Sequence, residues 1–313
     1  MKTELTGSPA IAAHFIKTGG IVAFPTETVY GLGADVFNEV AVARIFDAKR
    51  RPADNPLIAH ISSVDQIAEL AAEITNDARL LLDRFFPGPL TLVLKKTARV
   101  PMNATAGLDT IGVRMPDSDL ANEFLSLCDT PVVAPSANIS GRPSPTTWQA
   151  VYDDLNGRID CILQGDQTEV GLESTVVDCV TSPPMILRPG AISLESLRAV
   201  VAEIRMHNRD TLNSPRSPGL RHTHYAPKAA VIIIDSASDV PEDSHAGFIG
   251  LERPPATLAK VLVCSSTEDY ARAAFAFFRD CDKAGVQTIY CQQVEEAGIG
   301  TALMDRLRRA VSR

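Results

Sequence analysis

Three consecutive basic residues, Lys49–Arg51, form the group in this sequence best suited to bind a polyanion. A helical pattern from Asn38 to Ala48 places them at a helix C-terminus, where peptide carbonyls carry partial negative charge and favour cations. The turn Pro52–Pro56 follows at once, and a residue before proline is pushed out of helical geometry. Taken alone, the cluster could equally be a solvated helix end, so its neighbours decide between the two interpretations.

Four further polar groups adjoin short apolar runs of β type, and α/β folds place their ligands after strands. These groups are Pro25–Leu32, Thr110–Arg114, Ala134–Gly141, and Glu173–Thr175 together with Leu187–Gly190. Each alone has an ordinary explanation, as a hydroxyl-capped turn or a surface salt bridge. Together with the basic cluster, these four groups supply Lys, Arg, Ser, Thr and Asn without a recurring His, Cys or carboxylate pair. That combination favours positioning and neutralisation of phosphates, as in phosphoryl or nucleotidyl transfer.

The common nucleotide and nucleophile motifs are absent from the sequence. Gly31-Leu32-Gly33 begins a dinucleotide fingerprint, but position 36 is Val. Neither a P-loop nor a G-x-S-x-G nucleophile elbow occurs. His222 and His224 are a weak metal signal, because no third ligand lies nearby in the sequence.

The elements that must position these groups alternate between strands and helices over residues 8–204. Ser8 is a good N-cap with Pro9 at the first helical position, and Gly19-Gly20 ends that helix. We predict strands at 21–24, 57–61, 90–94, 110–114, 161–163, 174–179 and 185–187, and helices at 38–49, 62–73, 148–155 and 193–204. Some strands follow each other with no room for a crossover helix, so we expect an α/β fold with a mixed sheet.

Residues 208–228 carry no periodicity and read as a linker between a domain at 1–207 and a second α/β domain at 229–313. Residues 211–228 hold three basic residues and no acid. A loop of this length without secondary structure is usually functional or disordered. We therefore expect it to act as a lid over a site, the alternative being a passive tether. In the second domain we predict strands at 230–234, 247–249, 261–264 and 288–291, and helices at 268–284 and 299–311.

The composition is that of an ordinary globular protein: 313 residues, 45% hydrophobic, with a formal net charge of −8. The acidic balance argues against broad electrostatic binding of nucleic acid. The sequence has no apolar run long enough to cross a bilayer and no signal-peptide pattern. The six cysteines show no C-x-x-C pair, so reduced thiols in a cytoplasmic protein are expected.

Several of these segments, in this order, resemble the YrdC-type L-threonylcarbamoyladenylate synthase family. They are FPTETVYGLG, AKRRPADNPLIAHI, FFPGPLTLVL, GVRMP, APSANISGRPSPT, ESTVVD and ILRPGAIS, within residues 8–204. SPGLRHTHYAP and the small domain after it resemble the longer, two-domain branch of the family. The resemblance implies a twisted mixed sheet with a concave, positively charged site, joined to a Rossmann-like small domain.

The resemblance also implies a reaction. L-threonine, bicarbonate or CO2, and ATP would give threonylcarbamoyl-AMP and pyrophosphate, the first step of threonylcarbamoyladenosine formation in tRNA. Mg2+ would be the cofactor, held mainly by the ATP phosphates rather than by a protein site. A Kae/TsaD-type transferase would be the downstream partner, a weak contact with tRNA is allowed, and no membrane is involved.

Matched residue by residue, the resemblance assigns roles. A catalytic tetrad falls on Lys49, Arg51, Ser136 and Asn138. The ATP-binding set is Arg51, Asn55, Thr110, Ser136, Ser144, Arg188 and Tyr225. The threonine-binding set is Thr28, His60, Arg114, Ala134 through its backbone, and Ser174. Arg50 carries no family role and should point elsewhere.

Two other functions stay open at this point. An RNA-binding module could use a concave basic surface, although the acidic balance and the 5% aromatic content count against it. A carbamoyl-adenylate-forming relative, as in hydrogenase maturation, would bring zinc-finger and acylphosphatase-like regions, which this sequence lacks.

Overall fold

A twisted mixed sheet forms the larger part of the structure, a computed structural model that describes residues 2–207 and 225–311. The sheet has 11 strands in the order β1-β8-β2-β3-β7-β4-β6-β5-β9-β10-β11. In chain order these are β1 Glu4–Thr6, β2 Val22–Phe24, β3 Gly31–Asp35, β4 Ile58–His60, β5 Leu90–Lys95, β6 Thr110–Arg114, β7 Val132–Val133, β8 Cys161–Leu163, β9 Thr175–Asp178, β10 Met185–Arg188 and β11 Arg205–Met206.

The sheet is mixed, as predicted. β4 runs parallel to β6, whereas β5 is antiparallel to β6. Only residues 179–184 separate β9 from β10, which were both predicted as strands; this is too few for a crossover helix, and the two strands are antiparallel. The sequence-based argument from short connections therefore predicted the pairing type correctly.

Helices cover both faces of this sheet. They are α1 Pro9–Lys17, α2 Glu39–Lys49, α3 Ile67–Leu70, α4 Asn76–Phe85, α5 Asp119–Cys128, α6 Trp148–Leu155 and α7 Leu194–Arg198. Val22 and Phe24 of β2 pack into the cluster that holds α1 and α5. The intervening Ala23 packs into the larger cluster that holds α2, α4 and α6. This alternation is the two-residue period of a strand buried on both sides.

The cap prediction at α1 is confirmed, and α2 has a cap of the same kind. The Ser8 side chain accepts from the Ile11 amide, and Pro9 is the first residue of α1. Asn38 accepts from the Ala41 amide at the start of α2. α2 ends at Lys49, and the next residue, Arg50, adopts a left-handed conformation with φ of 51°. Because the backbone reverses there, Lys49 and Arg51 point in different directions.

Two predicted helices are shorter than expected. The segment predicted as a helix at 62–73 is a 3-10 turn at Val64–Gln66 followed by α3, because Ala71 forms a β-bridge with Lys96 and the Ala72 amide donates to the Lys95 carbonyl. The segment at 193–204 forms α7 and then turns, because β11 pairs with β10 directly after it.

The strand β3 was missed because two of its five residues are glycine, which has low β-propensity. The structure explains the glycine at 33: a Cβ there would lie 2.6 Å from Cγ1 of Val132. The neighbouring strand β7 therefore occupies the space that a side chain would need.

A second, parallel sheet has the order β12-β15-β13-β14. Its elements are β12 Ala230–Ile234, β13 Asp243–Gly250, β14 Leu258–Val263, α8 Thr267–Lys283, β15 Thr288–Gln292 and α9 Ile299–Val311. The crossover from β14 to β15 is the 17-residue helix α8, as parallel pairing requires. Of the predicted linker 208–228, residues 208–224 lie outside the described residues.

The second sheet and its helices are docked on the first. Leu172 belongs to the apolar cluster of the second part. Gly171, with φ of +79°, admits the contact, since a Cβ there would lie 2.4 Å from Cα of Arg272. Lys283 pairs with Asp153 at 2.8 Å across the boundary. All six cysteines are buried free thiols, and within the described chain no helix has the length and apolar character to cross a membrane.

Candidate active site

A cleft opens at the strand ends of the larger sheet, with about 660 Å3 of space that is partly open to solvent. The predicted site residues that line it are Thr28, Arg51, His60, Arg114, Ala134, Ser136, Asn138, Ser174, Arg188 and Tyr225. His60 ends β4 and Arg114 ends β6, and the parallel register pairs the two directly. The fold thus gathers polar groups from segments far apart in the sequence into one concavity.

Four predicted site residues do not line this cleft: Lys49, Asn55, Thr110 and Ser144. Thr110 begins β6, whereas Arg114 ends it, so the two lie at opposite ends of that strand. The register that pairs Ile58 with Gly112 places Thr110 toward the end of the 51–56 turn. Asn55 is buried in this turn, and its carbonyl accepts from Nη2 of Arg51 at 3.3 Å.

Lys49 is buried beneath the cleft with 1% of its surface exposed. Its Nζ donates to the carbonyls of Ser136 and Asn138, at 2.5 Å each. Burial, together with the nearby charge of Arg51, holds the pKa of Lys49 well below its ordinary value. Lys49 therefore fixes the 136–138 loop from behind, while Arg50 is exposed.

The 136–138 loop is held by its own side chains as well. Oγ of Ser136 donates to Oδ1 of Asn138 at 2.6 Å. Nδ2 of Asn138 donates to the carbonyls of Ile139 and Arg142, at 2.9 Å each. The amide orientation follows from this network. The four residues of the predicted tetrad are thus adjacent: Arg51, Ser136 and Asn138 line the cleft, with Lys49 beneath them.

Two guanidinium groups, those of the half-buried Arg51 and the buried Arg188, face the same cleft. Arg188 donates through Nε and Nη2 to the carbonyl of Ser174, at 3.1 and 3.0 Å, and through Nη2 to its Oγ at 3.1 Å. Burial lowers the pKa of each arginine to about 10. Both therefore stay charged at neutral pH and give the cleft a cationic end suited to phosphate.

A third guanidinium, Arg114, stands at the other end of the cleft. Its Nη1 donates to Oγ1 of Thr28 at 2.8 Å, and its Nη2 lies 2.6 Å from a carboxylate oxygen of Glu27. Thr28 in turn shares a hydrogen bond of 2.8 Å with Thr26. The arginine fork is therefore fixed in orientation before any carboxylate ligand arrives, and Glu27 has a positioning contact that sequence reasoning did not assign.

His60 is neutral in this environment. Burial, and then the charge of Arg114, lower the pKa of His60 to about 3. The ring nitrogen Nδ1 donates to the carbonyl of Ile58 at 3.2 Å, and the ring packs edge-on against Phe24 at a centroid distance of 5.7 Å. A neutral, packed imidazole can act as a hydrogen-bonding group for a ligand without adding charge.

The cationic end of the cleft contains a buried carboxylate, Glu173, to which the sequence analysis assigned no role. Glu173 lines the cleft and accepts from Oγ of Ser144 at 2.5 Å and from Nε of Arg306 at 2.9 Å. Arg306 belongs to α9, 133 positions away along the chain. Glu173 lies within a polar segment that the sequence had marked, but no local signal identified Arg306.

Tyr225 connects the cleft to the second part of the chain. It has a positive φ of 69° and lines the cleft. Its ring stacks on Phe275 of α8 at a centroid distance of 5.2 Å, and Arg306 lies 5.4 Å from the ring centroid. Directly after it, the Ala226 amide donates to the Gly141 carbonyl at 3.0 Å.

Two family models match the chain in succession. A model of Sua5, YciO and YrdC proteins, described as "Telomere recombination", matches residues 14–190. A second, described as "Threonylcarbamoyl-AMP synthase, C-terminal domain", matches residues 192–312. The two matches follow the order of the two sheets.

Relatives over the full length agree with these models. A protein of Pyrococcus abyssi named threonylcarbamoyl-AMP synthase is 46% identical, over 96% of this chain and 93% of its own length. The Bacillus subtilis protein of the same name is 38% identical, over 97% and 94%. The crystal structure of P. abyssi Sua5 complexed with L-threonine superposes with a TM-score of 0.91 at 43% identity, covering 99% of this chain and 97% of that one.

Proposed function

The chain belongs to the Sua5/YciO/YrdC family, and from that premise we propose that its cleft forms threonylcarbamoyl-AMP. The chain is an enzyme of the nucleotidyl-transfer type, with L-threonine and ATP as substrates and bicarbonate or CO2 as the third. One observation supports this best: a fork suited to a carboxylate, Arg114, and two cations suited to phosphates, Arg51 and Arg188, line a single cleft. One cleft of this kind can hold an amino acid beside a nucleotide.

The threonine end comprises Thr28, His60, Arg114, Ala134 and Ser174. The α-carboxylate of threonine binds the Arg114 fork, whose orientation Thr28 and Glu27 maintain. The neutral imidazole of His60 and the Ser174 hydroxyl bind the remaining polar atoms. Because Ser174 also accepts from Arg188, it lies at the junction between the two substrates.

The nucleotide end comprises Arg51, Asn55, Thr110, Ser136, Ser144, Arg188 and Tyr225. Arg51 and Arg188 neutralise the triphosphate, and the loop that Lys49 fixes presents Ser136 and Asn138 toward it. The catalytic tetrad in this proposal is Lys49, Arg51, Ser136 and Asn138, with Lys49 acting through the loop in the structure described here.

The reaction proceeds in two steps. The threonine amine attacks CO2, or bicarbonate with loss of hydroxide, to give N-carboxy-threonine and release a proton. An oxygen of the new carboxylate then attacks the α-phosphorus, and the bond to the bridging oxygen breaks as pyrophosphate leaves with the electron pair. Catalysis comes from proximity and from the fixed positive charges around the phosphates.

Mg2+ is the proposed cofactor, and it would neutralise phosphate charge. Within residues 2–207 and 225–311, no three His, Cys, Asp or Glu side chains converge in a way that could hold a metal ion. The carboxylate nearest the phosphates in this proposal, Glu173, already has both oxygens in hydrogen bonds. The ion would therefore take its ligands mainly from ATP and water.

The product must be consumed by a second enzyme, because a mixed anhydride of this kind hydrolyses in water. We place a Kae/TsaD-type transferase at that step, with tRNA as the final acceptor and a weak tRNA contact by this chain allowed. The cytoplasm, where tRNA is modified, is the proposed location. The lid role of residues 208–228 stays a prediction.

The test is pyrophosphate release by the purified chain. Release should require L-threonine and bicarbonate together, and Lys49→Ala and Arg51→Ala should each reduce it below detection. Release that is independent of threonine, or unaffected by both substitutions, would contradict the assignment.

A further inference from the structure

Arg306 of α9 is an arginine with 2% of its side chain exposed. Its guanidinium donates to Oε2 of Glu173 at 2.9 Å, to the Pro189 carbonyl at 3.1 Å and to Oδ2 of Asp305 at 2.7 Å, and it also hydrogen-bonds to the Tyr225 side chain. Glu173 and Pro189 belong to the catalytic part, and Pro189 directly follows Arg188. The second part of the chain thus inserts a fully buried charge against the nucleotide end of the cleft.

Glu173, the partner of Arg306, is an unexpected group beside a triphosphate site. Burial opposes its ionisation, but the charges of Arg306 and Arg188 and the hydrogen bonds from Ser144 and Arg306 outweigh burial and hold the pKa of Glu173 below its ordinary value. The carboxylate is therefore anionic. Without Arg306 it would repel phosphate and would attract Arg188, the neighbouring cation that the nucleotide needs.

We propose that Arg306 is a positioning residue for ATP, supplied by the second domain. It neutralises Glu173 and holds that carboxylate against Ser144, so that Arg188 stays directed at the nucleotide. This inference rests on the proposed function, which places ATP at the Arg188 end. It assigns the second domain a part in building one substrate site, beyond anchoring a lid.

The geometry separates this role from simple docking. Other contacts hold the two parts together: Leu172 packs into the apolar cluster of the second part, and Arg279 donates to the Pro143 carbonyl and to Asp154. At the threonine end, the contacts of Arg114 with Thr28 and Glu27 lie within the catalytic part. Loss of Arg306 should therefore affect the two substrates unequally.

The experiment measures ligand binding by calorimetry on the full chain with Arg306→Ala. The probes are α,β-methylene-ATP with Mg2+, which cannot release pyrophosphate, and L-threonine alone. We expect the nucleotide to bind at least about tenfold more weakly, because breaking a buried ion pair leaves an uncompensated charge. Threonine affinity should stay within about twofold.

The matched control is Lys283→Ala, which removes an ion pair between the two parts that lies outside the cleft. It should leave the affinities for both ligands unchanged. The double variant Arg306→Ala with Glu173→Gln removes the uncompensated charge and keeps an acceptor for Ser144, so it should recover much of the nucleotide affinity.

Equal losses for both ligands, with no recovery in the double variant, would show that Arg306 only stabilises the fold and would overturn the proposal. Unchanged nucleotide binding would overturn it too. If Arg306→Ala does not fold, Arg306→Lys takes its place: it should weaken nucleotide binding several-fold and spare threonine binding. Because both probes report binding, a lack of pyrophosphate release by the unmodified chain would count against the proposed function and leave this test intact.

Discussion

The two ends of the cleft are built differently. At the proposed threonine end, the contacts of Arg114 and His60 come from the catalytic part of the chain. At the proposed nucleotide end, Tyr225 stacks on Phe275 and Glu173 pairs with Arg306, so the second part of the chain supplies some of the contacts. In the proposed function, the contacts of one substrate site therefore lie within one part of the chain, whereas those of the other depend on how the two parts dock.

The two parts of the chain therefore contribute differently to the two proposed binding functions. A catalytic domain alone can orient an amino acid through a fixed arginine fork. Holding a triphosphate requires several buried cations, whose mutual repulsion and desolvation must be offset by neighbouring groups. Here the ion pair between Glu173 in the catalytic part and Arg306 in the second part of the chain offsets some of that repulsion and desolvation. Substitutions at the two ends should therefore separate the two binding functions.

The largest effect is expected at the threonine end, from Arg114→Ala. Loss of the fork removes charge-assisted hydrogen bonds to the α-carboxylate and leaves Glu27 buried without its partner. Threonine affinity, measured by calorimetry, should fall at least about a hundredfold. Binding of α,β-methylene-ATP should change much less, and equal losses for both ligands would contradict the division of the cleft.

A smaller, pH-dependent effect is expected at His60. Its folded pKa of about 3 lies below the ordinary value of 6.5, so the unfolded chain binds the proton more readily. The stabilisation is complete above pH 6.5 and is lost as the pH falls toward 3. Between pH 7 and 5, the free energy of unfolding should fall by about 2 kcal/mol more than in His60→Asn.

Denaturant titrations of both proteins at each pH measure this difference. Their pH dependence should run in parallel above about pH 7 and diverge below it. Parallel curves down to pH 5 would mean that the folded state does not lower the pKa of His60, so that the imidazole gains its proton below about pH 6.5 as a solvent-exposed histidine does, and the burial argument for a neutral imidazole would then be wrong.

The smallest effect is expected from Arg50→Ala, in the basic cluster itself. Arg50 is exposed and adopts a left-handed conformation at the end of α2, whereas Lys49 is buried and Arg51 lines the cleft. Pyrophosphate release should stay within about twofold of the unmodified chain, since Arg50 does not line the cleft and alanine, like arginine, has a Cβ at this left-handed position. A loss comparable to that of Arg51→Ala would show that the nucleotide end reaches further than the cleft.

The sequence predicted the mixed sheet because connection lengths restrict strand pairing: the residues between β9 and β10 are too few to cross a sheet. The cap at Ser8 was predicted for a local reason, since a side-chain oxygen at that position satisfies a free amide. The predicted helix at 62–73 was wrong after Leu70, because Ala71 pairs with Lys96, which directly follows β5. A local sequence pattern does not show a strand-pairing partner that lies some 25 residues further along the chain, as Lys96 does from Ala71.

The site was predictable where residues lie at strand ends, as Arg114 does at the end of β6 and Ser174 does directly before β9. Arg306 was not, because α9 carries a row of basic residues near its C-terminus and its periodicity does not distinguish the buried arginine from exposed ones. Glu173 was visible as a carboxylate in a marked segment, but its partner in space is 133 residues away. Pairing between domains is decided by docking, which the linear pattern does not encode.

The lysine beneath the 136–138 loop offers a way to observe that loop at work. An amine with 1% exposure and two carbonyl partners is shielded from acylating reagents as long as the loop stays closed. Its labelling rate therefore measures how often the loop lifts, as hydrogen exchange does for a buried amide. Saturating nucleotide should slow that labelling if the ligand holds the loop in place. The acylation rate of Lys49 would then report how often the active site opens.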